Sequence, residues 1–166
     1  MPIYMKIEDI EGGATAKGFE KCIPVQSVHL NANRSVSSRV GGMYERTVGS
    51  PNLGQLVLTK EVDQASPYLF VESCTGKAKD TVVIDFCRTD SGQASYKQYI
   101  LSDVLIANYD ANSSGSLGSD SGDINTIETI VLNYSKLEIS FTARDGDNKE
   151  LAPIRAGYDL KTGQKT

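Results

Sequence analysis

The amino-acid sequence predicts a mainly β protein, a single-domain β-barrel or sandwich of two packed sheets. Two observations predict this class. Apolar and polar residues alternate along most of the chain, as they do on a strand with one buried face. Segments in which glycine follows Ser or Asp separate the alternating runs, as hairpin turns prefer. The 166 residues suffice for one substantial core and are too few for two comfortable domains, so we expect one domain over residues 1–166.

The individual strands follow from the alternation. In residues 136–145, KLEISFTARD, the apolar Leu137, Ile139 and Phe141 alternate with polar side chains. Residues 153–161, PIRAGYDLK, repeat the pattern. Further strands are predicted over residues 3–7, 22–31, 55–59, 81–88, 96–108 (with a bend) and 127–134.

One short lateral α-helix is predicted over about residues 64–75. Ser66 offers an N-cap oxygen, Pro67 suits the first helical turn, and Gly76 suits a left-handed C-terminal residue. Because so short a helix is marginal alone, an apolar stripe should pack on the sheet. That stripe consists of Pro67, Phe70, Val71 and Cys74.

Two long connections interrupt the strands. Residues 110–126 are rich in Ser and Gly, which is typical of a flexible tether. The segment over about residues 34–54 is predicted to be a long extended loop, and it carries Met, Tyr and three arginines, types enriched where proteins meet. We expect it to dock on another subunit; the alternative is a loop folded back on its own barrel. The expected interface residues are Arg39, Val40, Met43, Tyr44, Glu45, Arg46 and Val48.

Composition and charge exclude several function classes. The formal net charge is −4 and the basic residues are scattered, so no nucleic-acid partner is expected. The chain shows neither a signal peptide nor a run of about 20 apolar residues, which predicts synthesis in the cytoplasm without membrane insertion. Cys22, Cys74 and Cys87 are far apart and odd in number, so we expect buried thiols and no disulfide or metal site.

The sequence offers no convincing enzyme motif. The only histidine, His29, lies mid-strand beside no nucleophile motif. Residues 13–18, GATAKG, have the glycine spacing of a phosphate loop but are followed by Phe19 and Glu20 instead of Lys and Ser/Thr. The stretch from Asp110 begins like a calcium loop but has Ser121 where a bidentate Glu is needed. We expect no catalytic residue, no cofactor and no metal.

Several stretches together carry a family resemblance. They are MPIYMKIEDIEG at the start, LVLTKEVDQASPYLFVESCTGK, TVVIDFCR, IETIVLNYSKLEISF, and AGYDLKTGQ near the end. The most specific is LTKxxDxxSPxL, from Leu58 to Leu69. Over nearly its whole length the chain resembles the haemolysin co-regulated protein (Hcp) family, the tube subunit of bacterial type VI secretion systems. GGA at residues 12–14 and Tyr158 depart from the usual family pattern and leave the subfamily open.

The resemblance implies an assembly and a route out of the cell. In the family, subunits form hexameric rings that stack into a hollow tube, which a contractile sheath expels with a spike protein at its tip. The lumen carries and chaperones effector proteins, so the chain would be secreted, or delivered into a target cell, without a signal peptide. Within this frame Ser27, His29 and Asn31 are candidates for facing the lumen.

Two other functions are weighed against this one. The first is a monomeric β-barrel that binds a small ligand or carbohydrate through Tyr4, Tyr44 or Tyr109. Few aromatic residues and no Trp argue against a sugar platform. The second is a hydrolase built around His29.

Overall fold

The computed structural model describes residues 1–37, 47–89, 94–114, 125–147 and 149–166. These residues form mainly strands, together with one α-helix, which confirms the predicted class. The elements are β1 (Ile3–Ile7), β2 (Ile23–Val25), β3 (Ser27–His29), β4 (Ala32–Ser37), β5 (Thr47–Leu53), β6 (Leu56–Glu61), α1 (Ser66–Thr75), β7 (Lys79–Cys87), β8 (Ser95–Ser114), β9 (Asn125–Asn133), β10 (Lys136–Phe141), β11 (Ile154–Asp159) and β12 (Gln164–Lys165).

Ten of these strands form one antiparallel hydrogen-bonded system with two parts, joined by the long strand β8. The first part has the order β12-β11-β10-β8-β7-β1-β2. In the second part β3 pairs with β6, β6 with β9, and β9 with β8. The N-terminal half of β8 pairs with β7 and β10, and its C-terminal half, from Leu105, pairs with β9. The β8–β9 pairing contains a β-bulge between Ile106 and Asn108.

Side chains from both parts fill one core. Met5 and Ile84 come from the first part, Leu58 and Ile130 from the second, and all four are completely buried. Alternation produces this arrangement because inward positions recur every second residue, as the burial of Leu56 and Leu58 in β6 shows. The two sheets therefore share a single apolar interior.

Some predicted boundaries were wrong. The strand expected over residues 22–31 divides at Gln26, whose backbone N donates to Thr59 O at 2.8 Å, so that β2 stays with β1 while β3 joins β6. The tether expected over residues 110–126 is strand at both ends, because β8 extends to Ser114 and β9 begins at Asn125. Residues 115–124 lie outside the described part of the chain.

The helix was predicted in the right place with the wrong face inward. Leu69 is fully buried, whereas Phe70 and Val71 are more than half exposed, and Pro67 and Cys74 are exposed as well. Both sides of the helix are apolar, so periodicity alone did not distinguish them. The C-terminus is as expected, with Gly76 in the left-handed conformation at φ 63°.

The predicted N-cap was also wrong. The N-cap residue is Ala65, without a side-chain cap hydrogen bond, and Asp63 Oδ1 instead accepts from the Ala65 backbone N at 3.0 Å. Ser66 is buried because its hydroxyl belongs to a polar network that joins the helix to the sheets.

This buried polar network is centred on Lys60 and Glu128, which are direct cross-strand partners between β6 and β9. Lys60 Nζ lies 2.7 Å from Glu128 Oε2 and 2.9 Å from Asp63 Oδ1. Lys60 Nζ also donates to Ser66 Oγ at 3.1 Å, and Ser66 Oγ donates to Glu128 Oε2 at 2.8 Å. Tyr109 OH donates to Glu128 Oε1 at 2.7 Å. Because the partners come from β6, β8, β9 and the start of α1, the network fixes the helix start on the sheets.

Sequence reasoning missed the buried charges, although a signal was present. Lys60 follows Leu56 and Leu58 in the inward phase of β6, and Glu128 shares the inward phase of β9 with Ile130. A lysine and a glutamate at core-facing positions require each other, since an unpaired buried charge is very costly. The LTKxxDxxSPxL stretch therefore carries three members of the network, Lys60, Asp63 and Ser66, at intervals of three residues.

The cysteines were only partly as expected. Cys87 is buried and Cys22 is half-buried, but Cys74 is exposed on the outer side of the helix. All three are free thiols. Burial raises the pKa of Cys87 to about 11, with smaller contributions from Asp85 and Cys22. No helix in the described residues has the length and apolar character needed to span a membrane.

Candidate assembly interface

Residues 32–53, here called the arm, contain a two-stranded hairpin that stands apart from the main sheets. Strands β4 and β5 pair with each other and form their own sheet. All described residues of β4 are exposed. The extended loop predicted over about 34–54 is therefore more regular than expected, since cross-strand hydrogen bonds order both ends of it. Residues 38–46 lie outside the described part.

The base of the arm is fixed to the body of the protein. The Gly54 backbone N donates to Asn31 O at 2.7 Å and closes the hairpin across its base. Tyr134 OH donates to Gly54 O at 2.9 Å, and Leu53 packs against the main core. The arm is thus anchored at one end while its exposed strand extends away from the core.

The arm exposes an apolar pair. Val36 and Val48 are cross-strand partners in the hairpin, and they are 58% and 54% exposed. Of the expected interface residues, Val48 is therefore found on an exposed surface. The other six lie outside the described residues, and they are Arg39, Val40, Met43, Tyr44, Glu45 and Arg46.

The arm and the rest of the chain differ in net charge. Residues 32–53 contain Arg34, Arg39 and Arg46 against one carboxylate, Glu45, which gives +2. The whole chain has 17 basic and 21 acidic residues, so the remainder has 14 and 20 and a formal charge of −6. The arm is a basic extension of an acidic body.

The helix presents a second apolar surface. Its exposed side carries Tyr68, Phe70 and Val71, each more than half exposed, as well as Pro67 and Cys74. Phe70 contacts Tyr109 edge to face, with ring centroids 5.8 Å apart. Contiguous exposed apolar groups of this kind mark surfaces that meet other molecules.

The residues proposed for the lumen lie together on one strand face. Ser27 and His29 are exposed on β3, and Asn31 is exposed just beyond it. The intervening Val28 and Leu30 pack against the core. Ser27 Oγ lies 2.6 Å from Thr59 Oγ1 on the neighbouring strand, so this face is polar.

The alternative sites are not assembled in the described residues. Tyr4 is 8% exposed and stacks on Phe19 in a small separate cluster, whereas Tyr109 is held by Glu128 beneath the helix. Tyr44, the third candidate, lies outside the described residues. No described carboxylate or nucleophile forms a hydrogen bond with His29. Nor do the described His, Cys, Asp and Glu residues form a group that could hold a metal.

Comparisons with known proteins agree with this architecture. The sequence model of the family described as "Type VI secretion system effector, Hcp" matches residues 4–141. No curated protein matches the chain.

Solved structures share the fold across the whole chain. A structure described as that of a type six secretion system protein superposes with a TM-score of 0.88 at 23% identity and covers 99% of both chains. Hcp1 from Salmonella typhimurium gives a TM-score of 0.77 at 22% identity, over 99% of this chain and 98% of that one. Hcp2 from the same organism gives 0.68 at 25% identity, over 98% of each chain. Because the family match spans most of the sequence, the chain belongs to the Hcp family of type VI secretion system proteins.

Proposed function

We propose that this protein is the structural subunit of a type VI secretion tube and acts without catalysing a reaction. Its copies close into hexameric rings, and the rings stack into a hollow tube that sheath contraction expels behind a spike protein. The chain is made in the cytoplasm and leaves the cell with the tube. Membership of the Hcp family supports this role.

The observation that carries the proposal is the exposed apolar pair on the arm. Val36 and Val48 are cross-strand partners on β4 and β5, whose described residues pair with each other, and both are more than half exposed. A closed ring uses a heterologous contact, in which one patch meets a different patch on the neighbour. The exposed Val36–Val48 pair supplies one of those patches. We expect the other predicted interface residues to belong to the same patch, namely Arg39, Val40, Met43, Tyr44, Glu45 and Arg46.

The proposal also gives a role to the polar face of β3. The polar face bearing Ser27, His29 and Asn31 lines the channel, where it keeps the wall wet and lets effectors of varied surface pass. Effector binding is then weak and distributed, since exposed polar side chains offer few strong anchors.

A ring-disrupting double variant tests the proposal. Val36→Thr with Val48→Thr keeps the β-branched shape and strand propensity but places two hydroxyl groups in the interface. Each hydroxyl buried without a partner costs about 1–3 kcal/mol, so the concentration for half-assembly should rise at least about tenfold. Native mass spectrometry and sedimentation velocity would measure it.

One control and a second disruptive variant accompany this experiment. Leu151→Thr changes an apolar residue of similar exposure, 49%, in the turn between β10 and β11, and should leave assembly unchanged. Met43→Asp with Tyr44→Asp should also release folded monomers. A wild-type protein that stays monomeric at tens of micromolar would refute the proposal.

A further inference from the structure

A shallow cleft lies on the body at some distance from the arm. It has a volume of about 280 Å³ and is lined by Gly13, residues 24–26 and residues 61–63. Pro24 and Val62 are exposed apolar walls, and Val25 is buried beneath them. None of the functions discussed so far uses it.

The cleft has one carboxylate without a described ion pair at its rim, Glu61. Glu61 is exposed at its rim and accepts a hydrogen bond from Gln26 Nε2 at 2.8 Å. Asp63 is half-buried in the wall, where its Oδ2 accepts from the Gly13 backbone N at 3.0 Å and its Oδ1 pairs with Lys60. Apolar walls with a carboxylate at the mouth suit the alkyl chain and guanidinium of an arginine.

The cleft and the arm lie at opposite ends of the same strand pair. The β3–β6 ladder pairs His29 with Val57 and Ser27 with Thr59. Its His29 end leads into the arm at residues 32 and 53, and its other end leads into cleft residues 26 and 61. The six residues of β6 span roughly 20 Å at about 3.3 Å each. A head-to-tail contact requires two different surfaces on each subunit, and the arm and the cleft are two such surfaces.

We propose that this cleft is the seat for the arm of a neighbouring copy, with an arm arginine paired to Glu61. The occupant follows from charge and geometry. The arm is a basic segment of +2 on a body of −6, and the described residues of β4 are all exposed and so do not cover their own body. The inference rests on the proposed tube function and names the receiving half of its interface.

Reversal of the charge of Glu61, at the rim of the cleft, tests whether the cleft receives the arm. Glu61→Lys in the full-length protein should raise the concentration for half-assembly at least tenfold in sedimentation velocity, because it places an ammonium group against the incoming guanidinium. Asp147→Lys is the matched control, since it makes the same charge change on the exposed turn between β10 and β11. It should assemble like the wild type.

Restored assembly in a double variant identifies the arm arginine that pairs with Glu61. Arg34→Glu, Arg39→Glu and Arg46→Glu would each be combined with Glu61→Lys. At least one combination should restore assembly to within threefold of the wild type. If none does, the arm does not pair with Glu61 and the proposal is overturned.

Photo-cross-linking locates the contact directly. With p-benzoylphenylalanine in place of Val62, cross-linked peptides should map to residues 34–48 of a second copy. Cross-links confined to the exposed side of α1, or to no part of the arm, would overturn the seat. If the wild type forms rings and Glu61→Lys assembles equally well, the cleft does not receive the arm, but the proposed tube function is unaffected. If the wild type does not assemble at all, both proposals are refuted.

Discussion

Lys60 Nζ lies 2.7 Å from Glu128 Oε2, and both side chains are buried between the helix and the two sheets. Asp63, Ser66 and Tyr109 complete their hydrogen bonding. Pairs of this kind contribute little net stability compared with apolar residues of the same volume, but removal of one partner leaves a buried charge uncompensated. The network therefore specifies where the helix starts more than it adds to stability.

Removal of the Lys60 ammonium group should strongly destabilise the folded protein. Lys60→Met leaves the Glu128 carboxylate buried without its counter-charge, and we expect the free energy of unfolding to fall by about 3–5 kcal/mol. Urea unfolding followed by circular dichroism would measure it. Lys21→Met is the matched control, because the Lys21–Glu11 pair has a similar distance, 2.8 Å, but is exposed. Equal midpoints for the two variants would contradict the structure.

The double variant Lys60→Met with Glu128→Leu should lose less stability than Lys60→Met alone, because it removes both buried charges together. The difference, measured as a coupling free energy in a double-mutant cycle, reports the contact itself. A coupling near zero would mean that the two groups do not meet in solution.

Tyr109 should make stability depend on alkaline pH. Burial, followed by the hydrogen bond to Glu128, raises the pKa of Tyr109 from 10.0 to about 12. A raised folded-state pKa favours the neutral phenol, so its stabilising contribution is complete below about pH 10 and is lost as the pH rises through about 12. The stability difference between wild type and Tyr109→Phe should shrink across that window. A difference that stays constant from pH 9 to pH 12 would contradict this.

The cysteines should react in the order of their exposure. Cys74 is exposed, whereas Cys87 is buried and has its pKa raised to about 11 by that burial. Because the thiolate is the reactive form, iodoacetamide at pH 8 should label Cys74 first and Cys87 only on unfolding. Peptide mass spectrometry after timed labelling would show it. Equal labelling rates for Cys74 and Cys87 would argue against the described helix orientation.

Adjacent helix residues should differ in their contribution to stability. Leu69 is completely buried and Phe70 is 53% exposed. Leu69→Ala should therefore lower the free energy of unfolding by about 2–5 kcal/mol, while Phe70→Ala should have a much smaller effect. Thermal unfolding of dilute monomer would compare them. A larger loss of unfolding free energy for Phe70→Ala would mean that Phe70, and not Leu69, faces inward.

The strands were predictable because each depends on local alternation. The prediction for β1 matches its residues, and the strand predicted over residues 96–108 lies within β8. Alternation reports which side of a strand is buried, and it needs no knowledge of the partner strand.

The helix face and the network were harder to predict because they depend on distant residues. Lys60 and Glu128 are separated by 68 residues and meet only when β6 pairs with β9. That pairing makes Ser66 a network residue instead of an N-cap and directs Leu69 inward, while Phe70 and Val71 remain outside. The surface composition of the arm was readable from the sequence, but its hairpin pairing was not.

Strand β8 gives the protein a mechanical property. It forms hydrogen bonds with β7 and β10 along one half and with β9 along the other, so one covalent backbone runs through both sheets. Tension applied to either sheet passes directly to the other, and neither can peel away alone. A subunit built in this way is expected to yield to an applied force in a single rupture.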